Sequence, residues 1–222
     1  MYKTILEDAR TEEEIKKSRF ISHIKKVKTE EDALDFIRAI KEKHRDATHN
    51  CWAYHLGKKG LIQRYDDDGE PQKTAGVPIL EVIKNKKITD VCIVVTRYFG
   101  GTLLGSGGLI RAYAGGANAV IEEAKIVDMC PYFKVKLQYD YSQHGSLEYF
   151  FKTKEIPLDP PLYTDKVQLR ALVEEERWDW FSDQLNNLTA GGVEFLEKTP
   201  LDLAVRNNKV IYKNKSYQRS VY

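Results

Sequence analysis

Residues 91–108 read VCIVVTRYFGGTLLGSGG and join a run of apolar, β-branched residues to a cluster of glycines. The run at 91–96 is typical of a central strand buried on both faces, and the apolar spacing after Gly107 indicates a helix. Half of the chain's 14 glycines lie between Gly100 and Gly116. Because glycine loses the most backbone entropy on folding, this density predicts a sharply bent loop or a close approach to another group. We therefore expect the functional site at this loop.

Strands and helices alternate on both sides of this segment in the N-terminal half. The predicted strands cover residues 20–27, 51–56, 61–65 and 91–96. Thr29 suits a helix N-cap because three acidic residues fill the following turn, and Thr74 is the predicted N-cap of a second helix. A third helix begins near Gly107. This alternation predicts an α/β layered domain.

The composition changes near residues 128–131, after which glycine becomes rare. Strands are predicted at 132–139, 155–158, 163–173 and 193–197, and helices at 142–151 and 174–188. This β-α-β-β-α-β order matches the ferredoxin-like plan. We therefore predict a two-domain protein of the α+β or α/β type, with an N-terminal α/β domain at 1–129, a ferredoxin-like domain at 130–205 and a partly disordered basic tail at 206–222. The cations of the tail are Arg206, Lys209, Lys213, Lys215 and Arg219.

The overall composition sets limits on function. The chain's 222 residues suffice for two domains, and its 35 Lys and Arg against 33 Asp and Glu give a formal charge of only +2. Any nucleic-acid surface must therefore be local. The three cysteines lack C-x-x-C spacing, which predicts reduced, packed thiols and disfavours disulfides and structural zinc. Since no segment resembles a membrane span or a signal peptide, we expect a soluble cytoplasmic protein without membrane contact.

The glycine loop has two interpretations. It leads from a buried strand into a helix, so its free amides suit an anion such as phosphate, with Arg97 and Arg111 adding charge-assisted bonds. Alternatively, the glycines only permit close helix–sheet packing. Ser106 stands where a Walker A loop requires lysine, and Ile110 replaces the third glycine of the dinucleotide fingerprint, so both motifs are excluded. The anion-site candidates are Arg97, Gly100, Gly101, Gly105, Ser106, Gly107, Gly108, Arg111, Thr74 and Lys73.

Four carboxylates occur within five residues, at Asp66, Asp67, Asp68 and Glu70. A hard cation is one interpretation, although Ala75 stands where the EF-hand spacing requires a bidentate glutamate. A solvated aspartate–glycine turn is another. We favour a third, in which this acidic turn supports the glycine loop by pairing with Arg97 or Arg111. The supporting residues are then Asp67, Asp68, Glu70 and His49, and no metal or other cofactor is expected.

Two further kinds of site are disfavoured by spacing. Nitrogen and sulfur ligands occur at His44, His49, Cys51 and His55. Their spacing is not that of a zinc site, and we expect His49 to hydrogen-bond within its own loop. A triad of Ser106, His49 and Asp68 has no support either, since Ser106 lacks the G-x-S-x-G pattern of a nucleophile elbow.

Several long motifs resemble those of the Impact family, in particular its bacterial, YigZ-type members. The motifs are Lys17-Ser18-Arg19-Phe20-Ile21, Ala47-Thr48-His49-Asn50-Cys51-Trp52-Ala53-Tyr54, Asp67-Asp68-Gly69-Glu70-Pro71, Thr74-Ala75-Gly76, Val95-Thr96-Arg97-Tyr98-Phe99-Gly100-Gly101 and Leu104-Gly105-x-Gly107-Gly108-Leu109-Ile110-Arg111-Ala112-Tyr113. They cover essentially the whole chain in the family's order. At Lys73, where glycine is frequent in the family, the extra cation either tightens an anion site or disturbs the turn.

The resemblance implies a fold and a class of partner. It implies an N-terminal ribosomal protein S5 domain 2-like fold, similar also to domain four of elongation factor G, and a ferredoxin-like C-terminal domain similar to that factor's last domain. Both relatives contact ribosomal RNA. Eukaryotic Impact proteins restrain a stress kinase that acts on a translation initiation factor, through an additional N-terminal domain. We do not expect that mechanism here, because the chain begins with the shared region.

Two functions of different classes follow. The first is a translation-associated regulator that binds RNA or the ribosome through the glycine loop, aided by basic residues such as Lys16, Lys17 and Arg19, with a translation factor as a further partner. The second is a nucleotide-dependent small-molecule kinase, because the implied N-terminal fold type also occurs in kinases with glycine-rich phosphate loops. Its magnesium would be held by Asp67, Asp68 or Glu70. We favour the first function, since the paired serines expected of such kinases are missing; oligomeric state is left open.

Overall fold

The computed structural model describes residues 1–58, 60–212 and 215–218. The chain divides into two units, Tyr2–Asp128 and Met129–Tyr222. Each unit combines helices with antiparallel strand pairs, so the protein is a two-domain α+β protein. All four strand pairings of the N-terminal sheet are antiparallel, which places that unit in the α+β class and not the α/β class.

The N-terminal unit contains a five-stranded sheet with the order β2-β3-β6-β4-β5. Its elements are β1 (Tyr2–Ile5), β2 (Ala9–Ile15), β3 (Ser18–Lys26), α1 (Glu30–Lys43), β4 (His49–Leu56), β5 (Ile62–Asp66), α2 (Gly76–Asn85), β6 (Val91–Tyr98) and α3 (Ser106–Ala124). Helices cover both faces of the sheet, since α2 and α3 pack in one hydrophobic cluster and α1 packs in another.

Strand β6 lies at the centre of this sheet. Val91, Ile93 and Val95 point into the cluster with α2 and α3, whereas Cys92 and Val94 point into the cluster with α1. This alternation across the pleat explains why the run is apolar at every position. The predicted central strand, buried on both faces, is confirmed.

The two predicted N-caps differ in outcome. Thr29 caps α1 through a capping box, in which its hydroxyl accepts from the Asp32 amide and the Asp32 carboxylate accepts from the Thr29 amide. Thr74 does not cap α2, because its hydroxyl donates to the Pro71 carbonyl at 2.6 Å and the N-cap position falls on Ala75. The prediction for Thr74 was therefore wrong by one residue, and the amides at that helix start are bound by Asp67 instead.

The C-terminal unit contains the strand order β12-β11-β10-β7-β9-β8. Its elements are β7 (Ile126–Tyr139, which begins within the last residues of the N-terminal unit), α4 (His144–Thr153), β8 (Leu162–Tyr163), β9 (Val167–Glu174), α5 (Trp178–Thr189), β10 (Glu194–Arg206), β11 (Lys209–Tyr212) and β12 (Lys215–Gln218). The helices pack on one face of the sheet, where Val135, Leu137, Leu169 and Phe181 belong to one hydrophobic cluster.

One strand of this unit lies later in the chain than predicted. Residues 155–158 form no strand, apart from a single bridge between Leu158 and Ala171. The second strand is β8, which pairs with β9 across a turn at Thr164. Proline explains why no regular strand forms earlier, because Pro157, Pro160 and Pro161 cannot donate to a ladder, and only isolated bonds to the strand Val167–Glu174 precede Leu162.

Part of the basic tail, which was expected to be partly disordered, is an ordered strand. Lys209–Tyr212 forms strand β11, which pairs antiparallel with β10, and Val210 is buried in a hydrophobic cluster. Alternating side chains thus tie this segment to the sheet. Lys213 and Arg219 lie outside the described residues.

Cys51, Cys92 and Cys130 are not joined in disulfides, and all three are buried. Cys51 and Cys92 lie in the N-terminal unit and Cys130 in the C-terminal unit. Within the described part of the chain, helices of the length and apolarity needed to cross a membrane do not occur.

Candidate functional site

The motifs of the N-terminal unit converge on one open cleft with a volume of about 430 Å³. It lies between the end of β6, the acidic turn after β5 and the N-terminus of α3. Its lining residues are Thr48, His49, Gly69, Glu70, Pro71, Arg97, Phe99, Leu103, Leu104, Gly105, Ser106 and Leu109. The walls are thus largely apolar and the polar groups are few, as in most small-ligand sites.

The acidic turn is held together by its own carboxylates. Asp67 accepts hydrogen bonds from the amides of Lys73, Ala75 and Gly76 at 2.7, 3.1 and 2.8 Å. Asp68 accepts from the Asn50 amide and from Lys41 Nζ, both at 2.6 Å. Carboxylates that already bind protein donors do not favour a magnesium site. Among the residues that the structure describes, no group of three or more metal-ligating side chains is arranged around a common point.

A buried ion pair forms the floor of the cleft. Arg97 Nη1 donates to Glu70 Oε1 at 2.6 Å, and the same oxygen accepts from the Tyr113 hydroxyl at 2.8 Å. Arg97 Nη2 lies 3.4 Å from Ser18 Oγ, whereas the buried Nε has no partner within the described chain. The acidic turn and Arg97 are therefore joined by an ion pair of the kind that the sequence suggested. The guanidinium charge is largely neutralised by Glu70.

His49 connects the turn to the cleft. Its Nδ1 lies 2.8 Å from the Asp68 carbonyl oxygen, which can only accept, so Nδ1 carries the proton. Nε2 is 3.8 Å from Glu70 Oε2. His49 thus contacts Asp68 through the backbone and not through the carboxylate, so the arrangement of Ser106, His49 and Asp68 is not that of a catalytic triad.

The glycine loop is bent around the turn between β2 and β3. A Cβ on Gly100 would lie 2.0 Å from the Lys17 carbonyl carbon and oxygen, so only glycine fits there. The Gly100 amide donates to Ser18 Oγ at 3.2 Å. Further along, Gly101 and Gly105 adopt φ values of 80° and 72°, which glycine tolerates best. Gly100 therefore permits close backbone packing against a turn, whereas Gly101 and Gly105 shape an exposed bend.

The N-terminus of α3 opens this bend to solvent. Gly105 occupies the N-cap position without a side-chain capping bond, and the first intrahelical bond runs from the Leu109 amide to the Gly105 carbonyl. The amides of Ser106, Gly107 and Gly108 precede that bond and have no partner elsewhere in the described chain. Ser106 and Gly107 are exposed, which leaves amide donors at the positive end of a 19-residue helix.

The remaining candidates lie around the cleft. Arg111 is exposed, and its Nη1 lies 3.5 Å from the position of a Cβ on Gly107. Lys73 is exposed on the acidic turn with φ 63°, a conformation that favours glycine. Thr74 is buried behind the turn. Phe99, Leu103 and Thr48 line the cleft but were not predicted, because exposure of an aromatic residue at a strand end cannot be read from one sequence.

Burial governs ionisation near the cleft. Desolvation, followed by the neighbouring Cys51 and Glu70, raises the pKa of Tyr113, so its hydroxyl stays protonated and donates to Glu70. Desolvation also raises the pKa of Cys51, whose Sγ donates to the Asp67 carbonyl at 3.0 Å. A thiol held in this way is no nucleophile.

His44 and His55, the other histidines considered as zinc ligands, do not line the cleft. His55 contacts the carbonyls of Ile88 and Gly60, and His44 Nδ1 lies 3.0 Å from the Tyr98 hydroxyl. These two side chains are therefore not gathered around a common point with His49 and Cys51.

The sequence is similar to those of known proteins. A family model described as the Impact N-terminal domain matches residues 16–121, and a domain of unknown function matches residues 137–191. A Bacillus subtilis protein, the IMPACT family member YvyE, is 40% identical over 210 residues, which cover 94% of this chain and 97% of that protein. The chain is a member of the Impact family.

Further relatives extend the family. The Escherichia coli IMPACT family member YigZ is 33% identical over 186 residues, covering 83% of this chain and 91% of that one. A Dictyostelium discoideum protein named Protein IMPACT homolog is 36% identical over 95 residues, which cover 40% of this Impact-family chain and only 27% of the longer relative. A crystal structure of a hypothetical protein superposes with a TM-score of 0.58 at 31% identity and covers 88% of this chain and 96% of its own.

Proposed function

We propose that this Impact-family protein is a translation-associated regulatory protein that binds RNA, including ribosomal RNA, through the glycine loop. Membership of the Impact family supports the role in translation, because the eukaryotic members of that family regulate translation. We also infer an S5 domain 2-like fold for the N-terminal unit and a ferredoxin-like fold for the C-terminal unit. The strand order β10-β7-β9-β8, with both helices on one face, supports the second assignment.

The observation that carries the proposal is the row of exposed amides at the start of α3. A helix N-terminus without a capping side chain has unsatisfied donors and a partial positive charge, and phosphate binds at such ends. The glycines at positions 105, 107 and 108 keep side chains away from these amides. An RNA phosphate can therefore reach the backbone directly.

Exposed cations lie beside the glycine loop and the start of α3. Lys16 and Lys17 form the turn between β2 and β3, and the Lys17 backbone contacts Gly100 of the loop. Arg111 stands beside Gly107 in the first turns of α3. Within the described chain none of these three side chains is paired with a carboxylate, in contrast to Arg97. They provide the local basic surface that a chain of nearly balanced charge requires.

Arg97 has a different part in this proposal. Glu70 neutralises the charge of Arg97, and only a small fraction of the surface of Arg97 is exposed. We therefore assign Arg97 a structural role in the floor of the cleft. The phosphate contacts then fall to the loop amides, Lys16, Lys17 and Arg111.

The test is RNA binding across a salt series, measured by fluorescence anisotropy with a ribosomal RNA fragment. The double variant Lys17→Glu, Arg111→Glu is compared with Lys84→Glu, Lys87→Glu, which makes the same charge change near the far end of α2. We expect the first variant to bind more weakly and to flatten the plot of log affinity against log salt by about 0.7–0.9 for each phosphate that it no longer neutralises. Equal affinity and slope for the two double variants would refute the proposal.

The kinase alternative is disfavoured, because the carboxylates required for magnesium in such an enzyme are bound to Lys41, Arg97 and backbone amides.

A further inference from the structure

An exposed aromatic ring stands at the mouth of the cleft. Phe99 follows the last residue of β6, and 45% of its surface is exposed. Its backbone is fixed, because its amide donates to Thr48 Oγ1 at 3.0 Å. Its ring centroid lies 5.4 Å from the guanidinium carbon of Arg97, which supports the ring from within. A ring held in this way can stack on a planar ligand with little loss of conformational entropy.

The α3 end of the cleft suits an anion. Gly105 and Ser106 line the cleft together with Phe99, and the Ser106 amide belongs to the uncapped first turn of α3. An aromatic surface and an anion-binding helix end therefore border the same cleft.

A third observation concerns the arginine in the floor of the cleft. Arg97 lines the cleft and is only 5% exposed, yet its Nε has no hydrogen-bond partner within the described chain. Buried donors are rarely left unsatisfied, since the loss of a partner is unfavourable. A ligand that carries an acceptor into the cleft would satisfy this group. The carbonyl oxygens of bases are such acceptors.

We propose that the cleft binds one unpaired RNA nucleotide, with its base stacked on Phe99 and its phosphate on the amides at the start of α3. This inference rests on the proposed function and narrows its ligand to single-stranded or looped-out RNA. The volume of about 430 Å³ lies in the usual range for sites of small ligands. Only an unpaired base can offer its face to a side chain, because the bases of a duplex are stacked on each other.

The apolar walls agree with this occupant. Leu103, Leu104 and Pro71 line the cleft beside the polar floor, so the base would be partly shielded from water. Stacking on an aromatic ring is tolerant of base identity, because every base has a π face. The site is therefore expected to select for unpaired structure more than for sequence.

The test compares a short, unstructured RNA with a duplex of the same sequence, both labelled with fluorescein. Phe99→Ala should weaken single-strand binding by about 5- to 150-fold, which corresponds to the usual stacking contribution of about 1–3 kcal/mol. It should change duplex binding little. Phe99→Tyr keeps the ring and should restore single-strand binding. Tyr149→Ala removes an aromatic residue that is 73% exposed on α4 and serves as the matched control.

A second pair of variants tests the phosphate contact. Ser106→Pro removes one amide donor at the first helical position, where proline is well tolerated, whereas Ser106→Ala keeps the amide. Single-strand binding should fall further for Ser106→Pro than for Ser106→Ala. Equal reductions would overturn the assignment of the phosphate to the amides. Thermal melting of each variant distinguishes impaired binding from impaired folding.

The outcomes separate this inference from the function on which it rests. If Phe99→Ala weakens single-strand and duplex binding equally, or if the unaltered protein prefers the duplex, the unpaired-nucleotide site is refuted while RNA binding stands. If the unaltered protein binds neither RNA, the proposed function itself fails. A preference for the single strand that disappears in Phe99→Ala and returns in Phe99→Tyr supports both.

Discussion

The buried pair of Arg97 and Glu70 allows a quantitative test of the cleft floor. Their side chains are 6% and 3% exposed, and Arg97 Nη1 lies 2.6 Å from Glu70 Oε1. Glu70→Gln keeps the shape but leaves the arginine charge buried without a counter-charge. Breaking a buried pair in this way lowers the free energy of unfolding by about 3–5 kcal/mol. With a urea m-value of about 2 kcal/mol/M, the unfolding midpoint should fall by about 1.5–2.5 M.

Two comparisons locate the cause. Glu81→Gln breaks an exposed pair with Lys84 and should lower the free energy of unfolding by no more than about 1 kcal/mol. Tyr113→Phe removes the second donor to Glu70 Oε1 but leaves the charges paired, so the expected decrease is about 1.5–3 kcal/mol. Urea unfolding followed by tryptophan fluorescence measures all three variants. The reasoning is refuted if Glu70→Gln is no more damaging than Glu81→Gln.

Three other changes have defined outcomes. Gly100→Ala should lower the free energy of unfolding by about 1–3 kcal/mol in urea titration, because the added Cβ meets the Lys17 carbonyl at 2.0 Å. The control is Gly107→Ala, whose added Cβ meets only the end of the flexible Arg111 side chain and should leave the free energy of unfolding nearly unchanged. Lys73→Gly should raise the thermal midpoint slightly, because it relieves a left-handed lysine with φ 63°; a fall would contradict this. Burial, together with the nearby Lys43, His44 and Arg10, lowers the pKa of His23 from 6.5 to about 4. Between these pH values the unfolded chain binds more protons than the folded chain, so the free energy of unfolding falls as the pH drops from 6.5 to 4. His23→Leu should flatten that part of the curve of urea midpoint against pH, and an unchanged slope would contradict the assignment.

The parts of the fold that were predictable have strong local signals. Strand β6 is marked by an uninterrupted apolar run, and α1 by a capping threonine with acidic residues behind it. The strands that escaped prediction lack such patterns. Strand β2 (Ala9–Ile15) contains three consecutive glutamates and lies at the edge of the sheet, where exposure removes the alternation of apolar residues.

The candidate site was predictable in composition but not in geometry. The sequence pattern placed the glycine loop, Arg97 and the acidic turn in one hypothesis, and the cleft contains residues of all three. Which carboxylate pairs with Arg97 depends on how strands β5 and β6 are placed in the sheet, and such long-range placement leaves no trace in local spacing. For the same reason the contact of the Phe99 ring with Arg97 could not be predicted before the fold was known.

The alkylation rates of the buried cysteines report local unfolding in each unit of the protein. Alkylating reagents attack the thiolate, and a thiol enclosed in the core reacts only after its surroundings open. The alkylation rates of Cys51 and Cys92 therefore measure how often the N-terminal unit opens, and that of Cys130 measures how often the C-terminal unit opens. Labelling followed by mass spectrometry would show whether RNA slows the reaction in the first unit alone.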